Sequence, residues 1–175
     1  MVVWNGASDA ARRAGMRYAL IHFFGGVVLM IGLIGHISET GSVTFEAMQT
    51  DSWARWLILG GFLINAGAWP ISSWIPDAYP EASPTGMVFL SAFTTKTAVF
   101  VLLVGFPGTQ ALIYVGLFMV FYGIVYALLE NDMRRILAYS IINQVGFMVC
   151  GVGIGTELAI AGVVAHAFCH IIYKA

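Results

Sequence analysis

Apolar runs of about twenty residues, separated by short polar breaks, fill this chain. The first extends from about Tyr18 to Ile37 and the second from Trp56 to about Trp74, interrupted at Pro70. The third covers Gly86 to Phe106, the fourth Thr109 to Leu129, the fifth Ile136 to Ile154, and the sixth Glu157 to the end. At ~1.5 Å per residue each is long enough to cross the ~30 Å hydrocarbon core of a bilayer. The pattern predicts an all-α fold: a polytopic transmembrane helix bundle of about six spans, one of them broken by proline. Connections are short except Ser38 to Arg55, which carries Glu39, Glu46 and Asp51 and has room for a short surface segment. No soluble domain, low-complexity tract or short repeat is visible, so residues 1–175 read as a single transmembrane domain.

Composition agrees. The chain is 59% hydrophobic and 10% charged, with a mean hydropathy of +0.86, against ~25% charged residues in a soluble domain. A net charge of −1 gives no reason to expect a nucleic-acid partner. Tryptophan and tyrosine are plentiful, as interfacial anchoring requires. Cys150 and Cys169 both fall in apolar stretches, and no disulfide is expected. The opening MVVWNGASDAARR places its basic group after a short apolar start, unlike a cleavable signal peptide. The closing HIIYKA has no cap and no polar tail, which reads as a fragment of a longer membrane protein.

Charge asymmetry gives an orientation. Arg12, Arg13 and Arg17 precede the first span, and Arg134 and Arg135 lie between the fourth and fifth. With six alternating spans both clusters fall on one side, and only Arg55 among the arginines falls on the other. The positive-inside rule then makes the N-terminal segment and the 130–135 turn cytoplasmic.

Candidate chemistry lies in polar groups within the apolar runs. Lys96 is the only charge between Gly86 and Phe106. A cation at mid-depth costs ~2.5–3.5 kcal/mol on insertion scales, so a partner, a hydrated cavity or a function is expected there, over a lysine that snorkels or supports packing. His166, His170 and Lys174, at i, i+4 and i+8, share one helix face. Imidazole titrates near neutrality and suits a proton relay. Interhelical hydrogen bonding is the next reading and a metal site the weakest, because no carboxylate or thiol joins them at ligand spacing. Ser140, Asn143 and Gln144 read as interhelical hydrogen-bond donors and acceptors, while His22 and His36 stand alone and receive no role.

Pro70 cannot continue a helix, and Ser72 and Ser73 follow it with hydroxyls able to satisfy freed backbone groups. Asn65 precedes the break by five residues. A tolerated kink and an ion-lining broken helix are both compatible with this pattern. In the turn WIPDAYPEASPTG, Asp77 and Glu81 read as solvated carboxylates ahead of partners for cytoplasmic arginines or proton collectors at a channel mouth. No phosphate loop, dinucleotide fingerprint, cysteine metal cluster or nucleophile elbow occurs, so no cofactor or metal is expected and no enzyme class is assigned.

The blocks WIPDAYPEASPTG…TTKTAVF, ENDMRRILAYSIINQVGFM and AHAFCHIIYKA together resemble the antiporter-like membrane subunits of respiratory complex I and of multisubunit (Mrp-type) Na⁺/H⁺ antiporters, most of all the D-type antiporter subunit. The resemblance covers essentially the whole chain. It implies that Lys96 occupies the buried position that relays protons beside the broken helix. His166, His170 and Lys174 would form the face leading toward a second half-channel. Asp132, Arg134 and Arg135 match the acidic-then-basic turn that opens the following helix, and Pro70 marks the first discontinuous helix. The family usually has lysine where this chain has Asn65, which puts ordinary charge switching at that position in doubt. The implied function is proton translocation coupled to Na⁺ or another monovalent cation, beside other subunits of a complex in the bacterial inner (plasma) membrane. The alternatives are a proton-pumping subunit of NADH:quinone oxidoreductase and a non-transporting scaffold subunit.

Overall fold

The computed structural model describes residues 3–4 and 8–174. Seven helices follow one another, with no strand among the described residues. They are α1 (Asp9–Thr40), α2 (Trp53–Ala66), α3 (Trp74–Ala78), α4 (Pro84–Gly105), α5 (Gln110–Leu129), α6 (Met133–Ile154) and α7 (Glu157–Lys174). All but α2 and α3 are long and apolar enough to cross a membrane.

Local chemistry sets the helix ends. The Ser8 hydroxyl accepts from Ala11 N at the start of α1 and Ser52 accepts from Arg55 N at the start of α2. Ser83 accepts from Gly86 N with Pro84 in the first turn of α4, where its missing N–H costs nothing. Asp132 accepts from both Arg134 N and Arg135 N to open α6. Gly41, Gly67 and Gly155, each at positive φ, stop α1, α2 and α6.

The second span is broken, as its proline predicts, but the break starts earlier, at Gly67. α2 ends at Ala66, and its 14 residues reach only ~21 Å, short of a bilayer core. Non-helical chain through residues 67–73, including a cis Trp69–Pro70 peptide, then leads into the single turn of α3. The freed carbonyls are met by Gly67 N and Trp74 Nε1 on Ile64 O (3.1 and 3.2 Å) and by Ala68 N on Leu63 O (2.9 Å). The donors to these two carbonyls are thus a backbone reversal and a buried indole, not the Ser72 and Ser73 hydroxyls. The loop after α1 holds no helix, and its Met48 N–H caps the end of α4 by donating to Gly105 O at 2.7 Å.

α5 and α6 form the closest helix pair, and small residues permit the approach. A Cβ on Gly116 would sit 2.6 Å from Gly146 O, and one on Gly123 would sit 2.5 Å from Asn143 N. Between helices in lipid, such close packing carries the association. The buried core runs from Trp74, Ile75 and Tyr79 through Leu102 and Phe106 to Ile142 and Val149. The outer faces of α1 and α5 remain apolar and exposed, as lipid contact requires.

Candidate functional site

In α4 the helix widens to a π turn over Leu90–Thr94, immediately before Lys96. Such turns are rare and concentrate at functional sites. Side chains occupy two carbonyls of this turn: the Tyr79 hydroxyl donates to Leu90 O at 3.0 Å, and Lys96 Nζ donates to Ser91 O at 2.7 Å. Lys96 also donates to Thr95 Oγ1 at 3.3 Å and is only 7% exposed. Among the described residues no carboxylate lies within ion-pair distance of it. The ammonium is therefore held by neutral oxygens alone.

α7 packs across this turn, and its polar face brings the predicted residues together. His170 is fully buried, and neither ring nitrogen has a hydrogen-bond partner among the described residues. Its helix packs against the π turn that precedes Lys96 and carries His166 and Lys174 one turn to either side. The His166 and His170 ring centroids are 6.2 Å apart. Lys174 Nζ donates to Ser140 Oγ at 2.8 Å, and His166 Nε2 lies 2.8 Å from Gln144 Oε1.

One carbonyl orients that row. Val120 O can only accept, so Asn143 places its Nδ2 there (2.9 Å) and turns Oδ1 toward Gln144 Nε2 (3.1 Å). Gln144 then presents Oε1 to His166, and Nε2 of His166 must carry the hydrogen. Its Nδ1 is left as the basic nitrogen. Ser140, Asn143 and Gln144 thus do bond between helices, and Asn143 and Gln144 also fix the tautomer of a candidate relay residue.

At the end of the bundle holding the arginines, Asp77 is not merely solvated. Arg17 grips it with Nε and Nη2, both at 2.5 Å, above a hollow of about 330 Å³ lined in part by Ser73, Trp74, Arg135 and Tyr139. Arg134 Nη1 donates to Pro80 O at 3.0 Å, Arg135 lies 3.8 Å from Glu130, and Glu81 accepts from Ser8 at 3.4 Å. At the broken helix, Asn65 is half-buried and turned back on its own helix, Nδ2 to Gly61 O at 3.3 Å. Ser72 is buried and Pro70 exposed. Sequence reasoning missed the π turn, Tyr79 and the role of Trp74. For Trp74 a signal existed: a buried indole N–H needs an acceptor, and a broken helix supplies one.

A bundle of long apolar helices with polar side chains turned inward is the arrangement of an integral, multi-pass membrane protein. The chain belongs to the NADH:quinone oxidoreductase/Mrp antiporter transmembrane family, which matches residues 1–175. It is 30% identical over 190 residues to the D-type subunit of the Na⁺/H⁺ antiporter of Alkalihalophilus pseudofirmus, covering 97% of this chain and 38% of that protein. It is 28% identical over 197 residues to the M-type subunit of the NADH-quinone oxidoreductase of Pseudomonas aeruginosa, with the same coverage, 97% and 38%. A chain in the Mrp complex structure from Dietzia sp. DQ12-45-1b has the same fold, with a TM-score of 0.89 and 24% identity over 96% of this chain and 34% of that one. The chain thus spans well under half the length of these relatives.

Proposed function

We propose that this chain is the core of a proton-translocating membrane subunit in a multisubunit Na⁺/H⁺ antiporter. It would sit in the bacterial inner membrane with the N-terminal segment and the 130–135 turn cytoplasmic. The observation that carries this reading is the Lys96 ammonium, bound by neutral oxygens only beside a π turn against which α7, the helix of the buried His170, packs. Such a lysine can give up and regain its proton without breaking an ion pair. His166, His170 and Lys174 form a row of protonatable groups along α7, and the Gln144–Asn143 bonds hold His166 with one nitrogen free to accept. Support for the orientation comes from Arg17 and Arg134, which both bind the 77–80 segment at one end of the bundle.

The second reading is a proton-pumping subunit of an NADH:quinone oxidoreductase, favoured by a 28% identity to the M-type relative that extends over the same 97% of the chain. A scaffold subunit is the third, because Asn65 spends its amide on its own helix. Cation-dependent dissipation of a pH gradient, in everted vesicles carrying the full-length parent complex, separates them. Na⁺-dependent exchange that disappears in Lys96→Ala is the expected result. A gradient built only by NADH favours the oxidoreductase. Unchanged flux in Lys96→Ala, with the complex assembled, leaves the scaffold.

A further inference from the structure

His22, given no role by its sequence context, stands where α1 faces the break in α2. The two helices run antiparallel: Gly25 meets Ile64, Leu29 meets Gly61, and Gly32 meets Ile58. Continuing that register brings His22 level with residues 67–68, just past the end of α2. Its ring stacks on Tyr18 with centroids 4.0 Å apart and meets the Trp74 ring at 4.6 Å, nearly perpendicular. Nδ1 lies 3.0 Å from Tyr18 O, an oxygen that can only accept, so Nδ1 carries the hydrogen. The basic lone pair is therefore on Nε2, which is buried and has no partner among the described residues.

The surroundings suit an intermittent charge. An imidazolium here would have two aromatic rings within the ~6 Å over which a cation is drawn to a π face. The titratable and charged groups around it are Tyr18 on its own helix, Arg17 one residue before that, and Asp77 and Tyr79 on the α3 side. α2 contributes Asn65, whose amide is committed to Gly61 O, and Tyr79, packed on Trp74, reaches α4 by donating to Leu90 O at 3.0 Å. Leu90 opens the π turn, whose Ser91 carbonyl holds Lys96. Polar groups thus lead from the Arg17–Asp77 hollow, past His22, to the lysine.

We infer that His22 is a proton-carrying residue of the broken-helix half, working between the Arg17–Asp77 hollow and the π turn that holds Lys96. A proton arriving from the hollow binds the Nε2 lone pair and forms the imidazolium. The same N–H bond then breaks toward a water or hydroxyl acceptor on the π-turn side, restoring the Nδ1–H imidazole. One proton enters, one leaves, and no electrons move. The inference rests on the proton-translocation reading.

The test uses the full-length parent complex in everted vesicles, with His22→Phe and Lys96→Ala compared with wild type across pH. Phenylalanine keeps a ring between Tyr18 and Trp74 but carries no proton. The expected result is a flux at least tenfold lower in the assembled complex, with a pH profile of altered shape, because a titrating step has been removed. A merely structural role predicts either a wild-type rate or a uniform reduction with the profile unchanged, and either result overturns the inference. If Lys96→Ala abolishes flux while His22→Phe behaves as wild type, His22 alone fails. If neither variant matters, the translocation reading fails with it. Should His22→Phe not assemble, His22→Asn, whose amide can still donate to Tyr18 O, is judged by the same two readouts.

Discussion

Adding one methyl group at Gly123 should damage both the packing of the bundle and the orientation of the proposed relay row. A Cβ there would lie 2.5 Å from Asn143 N, 2.8 Å from Tyr139 O and 2.9 Å from Asn143 Cα. All three are backbone atoms and cannot rotate away. Ordinary carbon contacts need ~3.5–4.0 Å, so α5 and α6 must part by roughly 1 Å. Overpacking of this kind costs ~1–3 kcal/mol. The same separation stretches the 2.9 Å bond from Asn143 Nδ2 to Val120 O past useful length, which adds ~0.6–1.7 kcal/mol. Gly123→Ala should therefore destabilise the subunit by about 2–5 kcal/mol. It should also lower flux, because Asn143 no longer orients Gln144 toward His166. Gly60→Ala is the control: nothing lies within 4 Å of its added Cβ, and alanine in place of glycine favours the helix by up to ~1 kcal/mol. Unfolding of the detergent-solubilised full-length subunit, followed by intrinsic tryptophan fluorescence, measures both. A Gly123→Ala protein as stable as the Gly60→Ala control would refute the claim that backbone approach holds α5 to α6.

Two further outcomes test the ends of α2. Trp74→Phe removes one of the two donors to Ile64 O and leaves space beside Tyr79, for a loss of about 1–3 kcal/mol in the same unfolding measurement; an unchanged midpoint would show that the Gly67 N–H suffices. In the loop before α2, the Arg55 guanidinium holds the Asp51 carboxyl below its ordinary 3.8. A carboxyl held down by folding adds stability that is fully present above its unfolded value and is lost as pH falls through the folded one. Asp51→Asn should therefore flatten the acid end of a stability–pH curve measured below about pH 4 and leave the neutral region nearly unchanged. A curve that keeps its acid limb would show that other carboxylates dominate it.

Length and hydropathy alone determine that this chain is a multi-pass membrane helix bundle, because a bilayer admits few ways to satisfy a backbone and the required runs are long. Lys96 and the His166–His170–Lys174 face are likewise legible, since a charge in an apolar run and a four-residue period need no neighbours to be seen. The tertiary structure decides what those groups touch. No propensity announces the π turn before Lys96; it is held by the Tyr79 hydroxyl from across a loop and by the lysine itself from the next turn of the same helix. Asp77 reads as a solvated turn residue until the fold brings Arg17, sixty residues away in sequence, to its side. Pro70 announces the break in the second span but not where it starts: Gly67 reverses the chain three residues earlier, and a buried indole makes the early stop tolerable. His22 reads as a lone histidine because its environment comes from α3 and from the end of α2. Periodicity and hydropathy are properties of one segment and survive in the sequence. Hydrogen-bond partners and close helix approach arise between segments, and only packing assigns them.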